Sequence, residues 1–114
     1  MAERSPEEVD RENRWKTWVE AVFADIANAY GDPPSRGARR DFGEWQVEIR
    51  ASGVGTAVLD VFSNAMKPVP QLHDSKEVLW ERTTSGDAAQ FVLDMIDELS
   101  RNPLYALMKR AMLP

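Results

Sequence analysis

Residues 44–63, EWQVEIRASGVGTAVLDVFS, decide the fold. In the first half, Trp45, Val47, Ile49 and Ala51 alternate with Glu44, Gln46, Glu48 and Arg50. That is the period-two pattern of a strand buried on one face. A second strand, TAVLDVFS, follows after Gly53-Val54-Gly55. A three-residue loop there sets position 49 opposite 59 and 47 opposite 61, so Val47, Ile49, Leu59 and Val61 share the inner face. A loop of even length would turn Asp60 inward instead. Because a one-residue slip moves every side chain to the opposite face, the odd loop is expected. Gly55 then takes the left-handed position of a type I turn with a bulge.

Upstream of the hairpin the pattern is helical. Ser5-Pro6-Glu7-Glu8 carries a capping serine, a proline suited to the first turn and an S-x-x-E capping box. Glu7/Arg11, Asp10/Arg14 and Glu12/Lys16 follow as acid-first pairs four residues apart. Residues 1–14 read as a charged helical extension, and 15–114 as a single α+β domain. From Trp15 onward, Trp18, Val19, Val22, Phe23, Ile26 and Tyr30 fall on one arc of about 140°, a helix face that docks on a core. Gly31-Asp32-Pro33-Pro34 ends that helix.

Downstream, residues 64–75 hold two prolines and are expected to form a long connection. KEVLWERT reads as a third strand with Val78 and Trp80 inward. A helix from about Asp87 to Leu99 places Ala88, Phe91, Val92, Met95, Ile96 and Leu99 on one face. Asn102-Pro103 opens a short last helix with Leu104, Leu107, Met108 and Met112 expected inward. The expected order is α-β-β-β-α-α, a three-stranded antiparallel meander with helices packed on one face and the other face open to water.

Composition narrows the chemistry. A chain of 114 residues with 43% apolar and 29% charged residues is ordinary for one globular domain. Without cysteine it has no disulfide, thiolate nucleophile or thiolate zinc site. No apolar run approaches the roughly 18 residues of a membrane span, and the charged start does not resemble a signal sequence, so the expected location is the cytoplasm. A net charge of −5 opposes general affinity for nucleic acid.

The chemical motifs are sparse. Asp41-Phe42-Gly43 has the letters of a kinase magnesium triplet without the Gly-rich loop, strand lysine or catalytic loop that such chemistry needs. Arg36, Arg39 and Arg40 are placed in a charged connection between the first helix and the first strand, with Phe42 anchoring it. His73-Asp74 is the only imidazole beside a carboxylate, in a proline-containing connection with no marked nucleophile. No D-x-[DN]-x-[DN]-G loop occurs. Neither a cofactor nor a metal nor catalysis is expected. Four tryptophans, Trp15, Trp18, Trp45 and Trp80, are assigned to the core.

The binding surface expected is the outer sheet face. With Leu59 and Val61 inward, Val58, Asp60 and Phe62 point out, beside Glu44 and Glu48 and, from the third strand, Leu79 and Glu81. That is a small apolar patch with an acidic rim, a pattern of partner surfaces. The second helix adds an acidic stripe of Asp94, Asp97 and Glu98. The function expected is a small non-enzymatic interaction module, an adaptor, inhibitor, immunity-type or secretion-chaperone-like subunit. Its partner is another protein, of basic character, or a second copy as a homodimer. The α-β-β-β-α order over residues 15–100 is also similar to that of the double-stranded RNA-binding domain. That resemblance implies, as the alternative, RNA binding through the Arg36–Arg40 loop. The family's lysine cluster at the second helix has no counterpart in SGDAAQFVLDMIDEL.

Overall fold

The hairpin has the register that its alternation demands. In the computed structural model, which describes residues 5–31, 39–63 and 72–112, strand β2 (Trp45–Ala51) pairs antiparallel with β3 (Thr56–Ser63). Ile49 lies opposite Leu59 and Val47 opposite Val61, and all four are buried. The Ser52 N–H donates to the Thr56 carbonyl (2.9 Å), closing a loop in which Gly53 and Gly55 both have φ near +70° (64° and 75°). Both positions need glycine's freedom in the left-handed region.

Two further strands, β1 (Arg39–Phe42) and β4 (His73–Leu79), complete a four-stranded antiparallel meander in the order β1-β2-β3-β4. Strand β4 (His73–Leu79) starts three residues before the expected Lys76, and Trp80 lies beyond it in a 3-10 turn (Trp80–Arg82). Val78 and Trp80 are nonetheless both buried. Strand β1 (Arg39–Phe42) is a correction: part of the expected arginine-rich connection is an edge strand paired with β2. Its only apolar residue is Phe42, so it carries no alternation to read. Arg40 occupies its other inward position, lies over the Phe23 ring (guanidinium 4.4 Å from the centroid) and reaches Glu20 (2.6 Å). Arg36 and the connection at 64–71 lie outside the described residues.

Helix α1 (Pro6–Tyr30) runs unbroken, capped by Ser5, whose hydroxyl accepts from the Glu8 N–H (3.2 Å). Helix α2 (Ser85–Ser100) is capped by Thr84, which accepts from the Asp87 N–H (3.0 Å). Both helices bury their apolar stripes against the inner sheet face, Val22, Phe23 and Ile26 from α1 and Ala88, Val92 and Ile96 from α2. The charged start of α1 is tied down: Arg11 (2.7 Å) and Arg14 (3.3 Å) both pair with Glu81 in the 3-10 turn. Glu81 draws Arg11 across the fold, while Asp10–Arg14 (3.0 Å) and Glu12–Lys16 (3.1 Å) form as spaced.

Helix α3 (Pro103–Met112) departs from its expected packing. Leu104 and Leu107 are exposed, and Tyr105 makes the contact, stacking on Trp45 (5.6 Å, 15°) and donating to Glu44 (2.7 Å). The side chains of Met108 and Met112 lie outside the described set.

Candidate functional site

Because both long helices cover the inner face, no described element packs on the outer one. That face presents Arg39 and Asp41 from β1, Gln46, Glu48 and Arg50 from β2, Val58, Asp60 and Phe62 from β3, and His73, Ser75, Glu77 and Leu79 from β4. Its centre is Asp60, whose side chain is only 5% exposed. Arg50 donates from Nε to Asp60 Oδ2 (3.1 Å), and His73 Nε2 lies 3.4 Å from Oδ1. Both partners are diagonal to Asp60 across neighbouring strands, within reach of long side chains. The nearly buried carboxylate therefore has the Arg50 guanidinium on one side and the His73 imidazole on the other.

Phe62 sits in a second tier. The His73 ring stacks on it (4.6 Å, 13°), and the Arg39 guanidinium lies 5.7 Å from its centroid. Arg39 also pairs with Glu48 (3.0 Å). A connected band thus runs Glu48–Arg39–Phe62–His73–Asp60–Arg50 across all three strand boundaries.

The expected apolar patch is broken up by this band. Val58 is nearly covered by its neighbours (8% exposed), Phe62 is half-buried, and Leu79 (50% exposed) stands at the opposite end of the sheet from Phe62. Two expected members of the face are elsewhere. Glu44 lies in the β1–β2 turn as the acceptor for Tyr105, and Glu81 lies in the 3-10 turn as the clasp for Arg11 and Arg14. The alternation that would put them on the face stops short of both, since β2 begins at Trp45 and β4 ends at Leu79. On α2, Asp94, Asp97 and Glu98 are exposed as expected, with Asp97 paired to Arg101 (2.7 Å) and Asp94 accepting from Gln90 (2.9 Å).

The His73–Asp60 contact is not visible from the sequence, where Asp74 is the adjacent acid. Once β4 is known to pair His73 with Phe62, the hairpin register puts Asp60 one step away on the same face. Arg39 and Arg40, the anionic-ligand candidates, both hold acids of the chain itself. Among the described residues no group of three or more His, Asp or Glu side chains gathers to hold a metal ion, and no helix is long and apolar enough to cross a membrane.

The chain matches no protein-family model, no curated protein and no solved structure.

A separate feature lies at the edge of the helical layer. Trp15, Trp18 and Trp80 cluster with centroids 5.3–6.1 Å apart, and Trp18 Nε1 donates to the Thr83 carbonyl (2.8 Å). Beside them runs an open groove of about 600 Å³ lined by Arg14, Thr17, Trp18, Ala21 and residues 80–85. Its tryptophans are engaged with one another and with the backbone, which identifies their first role as joining α1 to the 3-10 turn.

Proposed function

We propose that the protein is a non-enzymatic binding module that docks a basic protein on the outer face of its sheet. The observation that carries this reading is the one-sided packing: α1 and α2 both lie against the inner face, leaving a four-stranded surface without a described cover. A single isolated layer of this kind, ordered by its own side-chain band, is pre-organised for contact, which reduces the entropy lost on association. Acids outnumber cations on it, Asp41, Glu48, Asp60 and Glu77 against Arg39 and Arg50, and α2 adds exposed Asp94, Asp97 and Glu98. Complementary charge speeds encounter and sets orientation. The half-buried Phe62 between Arg39 and His73 supplies an aromatic anchor of the type enriched at interface centres.

The reading favours binding over catalysis because the one imidazole lies on an open sheet face with its carboxylate already shared with Arg50. The test is affinity capture from the native host, followed by reconstitution of each candidate from purified components. A true partner is basic, binds less tightly as salt is raised, and is lost with Glu48→Arg/Phe62→Ser but kept with Asp94→Lys/Glu98→Lys. A partner indifferent to the outer-face variant, or lost only with the α2 variant, would refute the placement.

A further inference from the structure

Strand β4 forms one edge of the sheet, with no described strand beyond it, and its sequence is complementary to itself. The Ser63 N–H donates to the Leu72 carbonyl (2.8 Å) and the Trp80 N–H to the Gly55 carbonyl (3.2 Å). With the β3–β4 register, these bonds turn the backbone groups of even-numbered residues 72–80 toward β3. The backbone groups of His73, Ser75, Glu77 and Leu79 therefore point away from the sheet. His73, Ser75, Lys76 and Glu77 are all exposed.

Residues 72–78 read Leu-His-Asp-Ser-Lys-Glu-Val. Laid antiparallel against a second copy about Ser75, they bring Leu72 opposite Val78, His73 opposite Glu77 and Asp74 opposite Lys76. Apart from Ser75, which meets its own copy, every pair joins apolar to apolar or a base to an acid, the pairings that stabilise neighbouring strands. The same register sets the outward-pointing backbone groups of 75 against 75 and 73 against 77, as a hydrogen-bonded ladder requires. Moving the centre to Lys76 opposes two lysines and sets Asp74 on Val78; moving it to Glu77 sets Lys76 on Val78.

We propose that β4 pairs with β4 of a second copy about a two-fold axis at Ser75, fusing the two sheets into one. This inference is independent of the basic-partner reading; it places both outer faces on the same side of the fused sheet. In the single chain the rim is partly covered by its own side chains. Asp74 Oδ1 accepts from the Ser75 N–H (2.8 Å), and the Thr83 hydroxyl donates to the Leu79 carbonyl (2.9 Å). On pairing, the Ser75 N–H passes to the Ser75 carbonyl of the second copy. The Asp74 carboxylate is released to Lys76 of that copy, whose ammonium rests 4.4 Å from the Phe91 centroid at the helix edge. The other edge, β1, is only four residues long and turns Arg40 inward, so it offers no equivalent rim.

Sedimentation velocity over a wide concentration range tests the proposal. The native chain shows concentration-dependent dimerisation. Asp74→Lys and Lys76→Asp each place like charges opposite one another twice and weaken self-association by about tenfold or more. An equimolar mixture of the two variants restores every pair and dimerises, as does the Asp74→Lys/Lys76→Asp swap. Since the chain has no cysteine, Ser75→Cys supplies one thiol at the axis, where facing Cα atoms lie about 5.5 Å apart, within disulfide reach. It cross-links under mild oxidation, and Glu77→Cys does not. A native chain that stays monomeric throughout, a dimer that both single charge variants leave intact, or equal cross-linking at 75 and 77 would overturn the proposal. A monomer that still captures a basic partner through the outer face would overturn this inference alone.

Discussion

Replacing Arg40 separates packing from charge at the seam between β1 and α1. Its side chain is 11% exposed and crosses the Phe23 ring, while the Glu20 carboxylate it meets is 62% exposed. Its Nε has no hydrogen-bond partner. An ion pair with one solvated member contributes about 0.5 kcal/mol, and a guanidinium over a ring about 1 kcal/mol. Truncation to Ala also removes two packed methylenes, about 1.6 kcal/mol at ~0.8 kcal/mol each. Against these stands the buried unbonded N–H, which costs about 1–2 kcal/mol. Arg40→Ala is therefore expected to destabilise the fold by about 1–2 kcal/mol. Arg40→Met retains the stem, discards the orphan donor and comes within about 1 kcal/mol of the native chain. Urea denaturation followed by tryptophan fluorescence reads the difference. With a slope of about 1.5–2 kcal/mol/M, the Ala variant loses about 1 M of midpoint and the Met variant much less. A Met variant as unstable as the Ala variant would refute this by showing that the charge, and not the stem, holds β1 to α1.

Leu59→Ala, at a fully buried inner-face position opposite Ile49, is expected to cost about 3–4 kcal/mol in the same assay, since the rigid sheet cannot collapse into the cavity. Gly55→Ala meets no close atom, the nearest being Arg11 at 3.7 Å, so its cost of about 1 kcal/mol comes from φ +75° alone; Gly55→Asn recovers part of it. Burial, then the nearby Asp97 and Glu44, push the Tyr30 phenol above its ordinary 10.0. A raised folded pKa means that its stabilisation is complete below the unfolded value near 10 and fades as pH rises through the folded one. Asp97→Asn should bring the Tyr30 midpoint down in an NMR-detected titration, and an unchanged midpoint would remove Asp97 as a cause.

What could be read directly was whatever repeats on a short period. The hairpin register followed from two alternating strands, because only an odd loop keeps Asp60 off the inner face. The α1 and α2 stripes followed from helical spacing, and Asn102 caps α3 as expected, accepting from the Leu104 N–H (2.9 Å). Strand β1 escaped because Arg40 fills an inward position normally held by an apolar residue, and its suitability depends on Phe23 and Glu20 from α1. The early start of β4 escaped for a similar reason. Asp74 and Lys76 face the helical side at a sheet edge, where Lys76 finds Phe91, so the alternation is masked by charge.

The sequence by itself determined the buried face of the β2–β3 hairpin and the buried stripes of α1 and α2, because burial there follows a local period of about two or 3.6 residues that the chain carries in its own order. Tertiary structure decided what the polar residues do. Asp60 meets His73 and Arg50, Glu81 holds Arg11 and Arg14, and Tyr105 reaches Glu44, all across separations that no local period records. Those partnerships depend on strand order, turn position and helix docking together, and a charged side chain in a sequence does not announce which of many acids or bases the folded chain will bring within about 3 Å.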